Sequence, residues 1–363
     1  MSLENLNKQP ISVAFYLPQF HPIPENNLWW GNGFTEWTNV GKAKPLYRGH
    51  DQPRIPADLG YYDLRLEDTR IQQADLAKKY GIDGFCYWHY WFGGGRRLLE
   101  RPFEDVLKSG KPNYPLCLGW ANHSWEAKNW STKKIKNKIL IEQKYNGLED
   151  CIEHYKYASN AFRDNRYIKI DGKPIFVVWD PTSIPVNFDY LEKWRELARQ
   201  DGFPDLIFIG FTYWKDKIVE INNRGYDYVL YDALLETRNN QSKSLLLVKK
   251  ILRNVLSWPL VVPYKKYADM NINVLAENSV LPCILPNYDH TPRSGKFGTV
   301  LESSPDKFQK LLTDTIDLIN SNKKNVPIIF IKSWNEWGEG NYLEPDLKHG
   351  DRYLMALKKG LKR

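Results

Sequence analysis

The feature that most constrains this chain is a rhythm of short β-rich apolar runs. Eight recur, at Val13–Leu17, Phe85–Tyr87, Leu116–Trp120, Ile175–Trp179, Leu206–Phe211, Tyr228–Tyr231, Cys283–Leu285 and Ile328–Lys332. Amphipathic patterns with readable helix ends lie between several of them. Thr69–Tyr80 stops at Gly81, Pro102–Ser109 at Gly110 and Tyr190–Gln200 at Asp201-Gly202. Pro305–Asn320 starts from Ser304 as N-cap with Pro at its first position, and Arg352–Lys362 is the last. Strands alternating with helices predict a parallel sheet, and eight such units predict an α/β fold, a single (β/α)8 barrel. A length of 363 residues fits either one large barrel or two average domains, but no repeat and no Gly/Pro/Ser-rich linker divides the chain. The expected organisation is a flexible tail over 1–10 followed by one catalytic barrel over 11–363. Two long segments, Pro18–Arg65 and Leu234–Val280, leave from the ends of strands 1 and 6, the face where barrels build their active sites.

The last β-rich run delivers the densest chemistry. It leads into SWNEWGEGNYLEPD, which holds Glu336 and Glu339 among Trp334, Asn335, Trp337 and Tyr342, with Glu344 two residues further on. Residues at i and i+3 share one side of a turn, so both carboxylates can face one cleft. One carboxyl held protonated and one ionised, beside flat aromatic surfaces, is the equipment for acid/base work on a sugar. An isolated Glu-x-x-Glu is ordinarily a solvated loop. Two tryptophans and two glycines around the acids argue for a site.

In a barrel, the ends of the other strands converge on the same mouth. Strand 1 is followed by Gln19, His21 and a loop with Trp29, Trp30, Glu36 and Trp37; strand 2 by Trp88, His89, Tyr90 and Trp91. Strand 3 ends in Trp120, Asn122, His123 and Trp125, strand 4 in Trp179, strand 5 in Tyr213-Trp214 and strand 7 in Tyr288-Asp289. Aromatic faces next to amides and carboxylates suit a polyol ligand, because rings stack on the apolar faces of sugars and hydroxyls need donors and acceptors. A single strand-end Trp is more often core filler; the recurrence carries the argument. His21 and His123 are ligand candidates, His89 is balanced between ligand and core, and His50, His154 and His349 are read as surface groups.

Other classes are disfavoured. Net charge is +8, but the basic residues are interspersed with 43 acids, which argues against nucleic acid. No Walker or dinucleotide glycine pattern, no Gly-x-Ser-x-Gly elbow and no Asp-x-Asp occurs. No His/Asp/Cys group has ligand spacing, so neither metal nor cofactor is expected. The four cysteines are expected to be buried thiols of a reducing compartment. With no apolar leader and no membrane-length run, they predict a cytoplasmic protein. The segment 244–258 is apolar with Lys249, Lys250 and Arg253, a pattern that suits packing against its own domain or peripheral contact with a membrane. The oligomeric state is not readable.

These stretches also carry a resemblance. AFYLPQFHPIPENNLWWGNGFTEWTNV, KPLYRGHDQPRIPADLGYYDLR, YGIDGFCYWHYWF, LLERPFEDVLKSGKP, LGWAN, ILIEQKY, DGKPIFVVW and SWNEWGEGNYLEPD resemble the WbsX-like family, whose domain is similar to glycoside hydrolase family 99. The resemblance implies a (β/α)8 barrel and a place among bacterial surface-polysaccharide (O-antigen, lipopolysaccharide or capsule) functions, either as a glycoside hydrolase or as a glycosyltransferase. The Asn-Glu-Trp-x-Glu-Gly motif of family 99 matches Asn335, Glu336, Trp337, Glu339 and Gly340. By that match Glu336 deprotonates the substrate's own 2-hydroxyl to form a 1,2-anhydro sugar, and Glu339 is acid and then base, with retention of configuration. Tyr288-Asp289 resembles a substrate-binding Tyr-x-Asp segment. Where the family pattern has an acidic residue after the Asn of the third-strand motif, this chain has His123, followed by Lys133, Lys134, Lys136 and Lys138. That departure predicts a glycan with acidic groups. A transglycosylase and a non-catalytic glycan-binding barrel remain the rivals.

Overall fold

The computed structural model describes residues 10–127, 138–186, 189–241, 243–275, 277, 279–322 and 328–362. The tail expected at the N-terminus lies outside these residues up to position 9, as do Lys133, Lys134 and Lys136.

Eight strands form the frame: β1 (Ile11–Tyr16), β2 (Gly84–Trp91), β3 (Leu116–Trp120), β4 (Lys173–Val178), β5 (Ile207–Thr212), β6 (Tyr228–Tyr231), β7 (Val280–Ile284) and β8 (Ile328–Ile331). Each pairs in parallel with its successor, and β8 pairs back onto β1, with Ile11 opposite Ile328 and Ala14 opposite Ile331. The sheet is therefore a closed (β/α)8 barrel. Buried β-branched and aromatic residues such as Val13, Phe15, Val177, Ile209, Ile329 and Phe330 explain why these runs become strands packed on both faces.

Around the strands lie α1 (Glu67–Lys79), α2 (Arg101–Ser109), α3 (Leu148–Phe162), α4 (Tyr190–Gln200), α5 (Ile218–Asn223), α6 (Lys243–Leu256), α7 (Tyr264–Val274), α8 (Pro305–Asn322) and α9 (Arg352–Gly360). The expected stops hold. Gly110 ends α2 in a left-handed conformation, its N–H bonded to the carbonyl of Val106 at 3.1 Å. The Ser304 hydroxyl caps α8 through the N–H of Lys307. Helices α3, α5 and α7 have no counterpart in the sequence reading. The buried stripe of α3 is Cys151, His154, Tyr155, Ala158 and Phe162, in which a histidine and a tyrosine interrupt the apolar signal.

Two assignments change. Strand β2 does not stop at Tyr87; its pairing with β3 continues to His89 opposite Trp120, and Tyr90-Trp91 then pair with Arg97-Leu98. Strand alternation consequently sends Trp88 and Tyr90 to the barrel mouth, and His89 and Trp91 outward against α3. His50 and His154 are also not surface groups. Both are buried, His154 in a chain from His89 (Nε2 to Nε2, 2.8 Å) to the Tyr190 hydroxyl, and His50 against Asp289. Burial, with Arg97 adding to it, lowers His89 to about 3, so His89 is a neutral core group and not a ligand. All four cysteines are free and buried. Among the described residues no helix is long and apolar enough to cross a membrane.

Candidate active site

Beyond β8 the chain makes a small hairpin: Asn335-Glu336 pair antiparallel with Asn341-Tyr342, and Trp337–Glu339 form a single 3-10 turn between them. Asn335 fastens this hairpin to the end of β1, accepting from the N–H of Leu17 at 2.7 Å and donating to its carbonyl at 3.1 Å. Trp337 stacks on Tyr342 with ring centres 3.7 Å apart and donates its indole N–H to Glu344 at 2.6 Å. Gly340 closes the turn at φ 54°, a left-handed conformation in which a side chain would press on Asp289 at 2.8 Å. The anchors of the hairpin are buried, and it holds Glu336 and Glu339 one turn apart.

The two carboxylates meet different surroundings. Glu336 is buried and accepts the indole N–H of Trp88 at 3.0 Å. Burial and the charge of Glu339 push its carboxyl up to about 7, against the opposing pull of Lys332, Arg293 and the Trp88 N–H. Glu339 instead pairs with the Nη1 of Arg293, and the Nε2 of His290 lies 3.8 Å from the same oxygen. Arg293 grips the buried Glu36 as well, with Nε and Nη2 at 3.1 and 2.9 Å from one oxygen. Burial works against the charge of Arg293, but Glu36, Glu339 and Glu336 outweigh it, so the guanidinium stays protonated.

A second cation lies beneath. The Nζ of Lys332 donates to the Tyr213 hydroxyl at 2.6 Å, sits 3.3 Å from Asp232 and lies 5.0 Å from the ring centre of Trp179. Burial would discharge Lys332; Tyr213, Asp232, Glu336 and Glu339 together raise it well above its ordinary value. Burial raises Asp232 despite that lysine. The wall is aromatic: Trp88 stacks on Phe15 at 4.4 Å, Trp179 stacks on Phe211 at 4.2 Å, and Trp88 and Trp179 meet edge to face at 5.2 Å. Tyr288 feels Glu339 and Tyr213, and Tyr90 feels Glu336, so both rings belong to this mouth.

The expected residues therefore divide. Trp88, Tyr90, Trp179, Tyr213, Tyr288, Glu336 and Glu339 come together. His123 is exposed at the rim, its ring 6.4 Å from Trp179, and Trp125 packs edge-on to Tyr90 at 5.2 Å. Trp37 donates to the carbonyl of Tyr62 at 2.8 Å and packs on Trp337, while Gln19 accepts the N–H of Glu36 at 3.1 Å through its backbone.

Most of the others have their polar atoms engaged within the fold. Trp120 donates to the carbonyl of Trp91 at 2.9 Å and packs outward on Tyr190. Asn122 ties the β3 and β4 ends together, donating to Tyr145, Ser183 and the carbonyl of Asp180. Burial lowers His21 to about 4, and its neutral ring donates to the carbonyl of Pro18 at 3.0 Å. Asp289 is held down to about 2: burial would raise it, but the His50 hydrogen bond and Arg54 prevail, and Gln52 and Thr291 fill its remaining positions. Glu344 accepts from Tyr62, Gln73 and Trp337. Trp334 is fully buried against Phe85, and Tyr342 gives its hydroxyl to Asp346 at 2.7 Å. Trp214 is exposed, away from these contacts.

Arg293, Lys332 and Asp232 escaped the sequence reading, and Glu36 entered it only as part of an aromatic loop. Asp232 and Lys332 follow β6 and β8 directly, so strand-end position was their signal. Arg293 sits in a short helix, Thr291–Ser294, that nothing in the local sequence singles out.

Gly338 supplies a direct test of this arrangement. A Cβ there would overlap the Glu36 carboxylate. Gly338→Ala is expected to displace the Glu36–Arg293 pair, lowering kcat/KM about 100-fold and lowering the melting temperature, while circular dichroism still shows a folded barrel.

Comparison with known proteins agrees with this architecture. Residues 12–357 match the family described as glycosyltransferase WbsX. The uncharacterized protein WxcX of Xanthomonas campestris pv. campestris is 34% identical over 360 residues, which is 97% of this chain and 49% of that protein. The chain thus spans about half the length of the curated relatives it matches. Among solved structures, the GH99 endo-alpha-mannosidase from Bacteroides thetaiotaomicron superposes with a TM-score of 0.60 at 15% identity, covering 97% of this chain and 96% of that one. A glycoside hydrolase-like protein superposes at 0.59 and 16% identity, covering 98% and 95%. The chain belongs to the WbsX family and carries the barrel fold of the GH99 enzymes.

Proposed function

We propose that the protein is a retaining glycoside hydrolase acting on a bacterial surface polysaccharide of O-antigen or capsule type, or on its precursor. One observation carries the proposal: a turn with buried anchors presents a proton-retaining Glu336 and an Arg293-paired Glu339 to one aromatic-walled mouth. In this reading Glu336 takes the proton from the sugar's 2-hydroxyl as that oxygen attacks the anomeric carbon. The glycosidic C–O bond breaks and Glu339 protonates the leaving oxygen. Glu339 then deprotonates a water, which opens the 1,2-anhydro ring, and Glu336 returns its proton to O2. With the proton on Glu336 and Glu339 paired to Arg293 in the empty site, the acid step requires that proton to pass to Glu339 as substrate binds and its contact with Arg293 loosens; Glu36, the second carboxylate on the same guanidinium, can then hold the charge. Trp88, Trp179, Tyr213 and Tyr288 supply the stacking faces. The exposed Lys138 and His123 at the rim support an acidic glycan. The buried free thiols support residence in a reducing compartment such as the cytoplasm.

A second reading is favoured by the family's description as a glycosyltransferase. The same carboxylates would then pass the sugar to an acceptor hydroxyl instead of water. Incubating wild type and Glu339→Gln with the encoding bacterium's own surface polysaccharide, followed by mass spectrometry and anomeric NMR, separates the two. Fragments of retained configuration from wild type alone support hydrolysis, and lengthened chains support transfer. A lack of change in both samples contradicts both readings.

Two quantitative outcomes follow from the roles. Glu336→Gln and Glu339→Gln are each expected to lower kcat/KM by ~10²- to 10⁴-fold, and near wild-type turnover in either refutes the assignment. The reactive pair carries one proton, which the empty site holds on Glu336, so the activity falls as pH rises through about 7 and that proton is lost. The alkaline limb of kcat/KM is therefore expected near 7, and activity that stays level well above that pH contradicts the one-proton pair.

A further inference from the structure

Helix α6, in the long segment after β6, has a face that the described chain leaves bare. Leu247, Ile251 and Val255 are 60%, 54% and 74% exposed, and Val248 is exposed beside them. At roughly 100° per residue these four positions form one stripe. Lys249, Lys250 and Arg253 occupy the opposite side, where with Arg238, Asn239 and Leu260 they line a cavity of about 310 Å³.

That cavity gathers four cations without a counter-charge. Among the described residues no carboxylate pairs with Arg238, Lys249, Lys250 or Arg253. The Nζ of Lys249 donates to Gln241 and to the carbonyl of Val261, both neutral, and the Nε of Arg253 is buried with no acceptor. The Arg253 guanidinium lies 5.2 Å from the ring centre of Phe297, itself 63% exposed, with the Nζ of Lys296 5.8 Å from the same ring. Clustered like charges raise the energy of the empty site, and an anion relieves it.

The face is coupled to the active-site mouth. Trp258, just after α6, stacks on Tyr47 at 4.5 Å; Tyr47 stacks on His50 at 4.5 Å; and His50 bonds to Asp289 at 2.8 Å. The strand Leu260–Pro263 pairs with Thr299–Glu302, which pairs in turn with Tyr288-Asp289. These contacts join the segment around α6 to the residues that frame the barrel mouth.

We propose that α6 docks on an anionic phospholipid surface, with its apolar stripe in the acyl boundary and the basic cavity at headgroup level holding a lipid phosphate. Charge complementarity and amphipathic form both select this occupant: a neutral protein partner leaves the four cations unpaired, and a soluble anion leaves the stripe in water. The proposal concerns binding alone and stands apart from the hydrolase reading.

The test is co-sedimentation of the protein with vesicles of phosphatidylcholine, with and without phosphatidylglycerol, in the absence of any glycan. Binding to the anionic vesicles alone, weakened by high salt, is expected. The pair Lys250→Glu with Arg253→Glu should weaken it ~20-fold or more, and the pair Ile251→Ser with Val255→Ser about 10-fold. Circular dichroism confirms that both variants are folded. Wild type that ignores anionic vesicles, or folded variants that bind like wild type, overturns the proposal. Inorganic pyrophosphate bound in calorimetry while vesicles are not also overturns it, leaving a site for soluble anions. None of these results bears on Glu336 or Glu339, so a failure here leaves the catalytic reading intact.

Discussion

The site is governed by an imbalance of buried charge. Glu36, Glu336, Glu339 and Asp232 converge on the mouth of the barrel, and the cations set among them are Arg293 and Lys332. Taking several like charges out of water is costly, and the chain reduces that cost by leaving a proton on the group with the weakest pairing. Arg293 claims Glu36 and Glu339, and Lys332 bonds to Tyr213 and Asp232. Among the described residues Glu336 has the Trp88 indole N–H as its direct partner, and burial with the charge of Glu339 raises it to about 7. Which of the two carboxyls holds the proton in the empty site thus follows from what faces each of them, not from their chemistry, which is identical.

The fold was legible because its signal is local and repeated. Each strand carries its own β-branched run, and the C-cap glycines and Ser304 mark helix ends without help from the tertiary structure. The site was legible only in part. Glu336 and Glu339 stand in a distinctive aromatic loop, but direction is set by strand alternation: Trp88 turns inward and His89 outward because β2 continues four residues beyond Tyr87. Asp289, Glu344, Asn335 and Asn122 look like ligand groups in the sequence and are instead the hydrogen-bonded frame that fixes the hairpin and the loops. Arg293 is distant in sequence from Glu36, its partner, and no local pattern announces a counterion that arrives from another loop.

Family membership and the barrel fold agree with the glycan chemistry proposed above without choosing the acceptor. A barrel mouth lined by Trp88, Trp179, Tyr213 and Tyr288 suits a sugar donor in either case. Whether water or a second sugar completes the reaction depends on what occupies the space beside Glu339, next to the short helix that carries Arg293. That helix follows Tyr288-Asp289 and so belongs to the same small sheet as the segment after α6.

The central claim is that Glu336 and Glu339 form an interacting pair in which burial keeps the proton on Glu336. Carbon-13 NMR titration of side-chain-labelled glutamate carboxyls, in wild type and in Glu339→Gln, measures it directly. The account predicts a Glu336 resonance titrating near 7 in wild type and at a lower pH once the charge of Glu339 is removed. A Glu336 carboxyl titrating in the ordinary glutamate range, or one indifferent to Glu339→Gln, contradicts it.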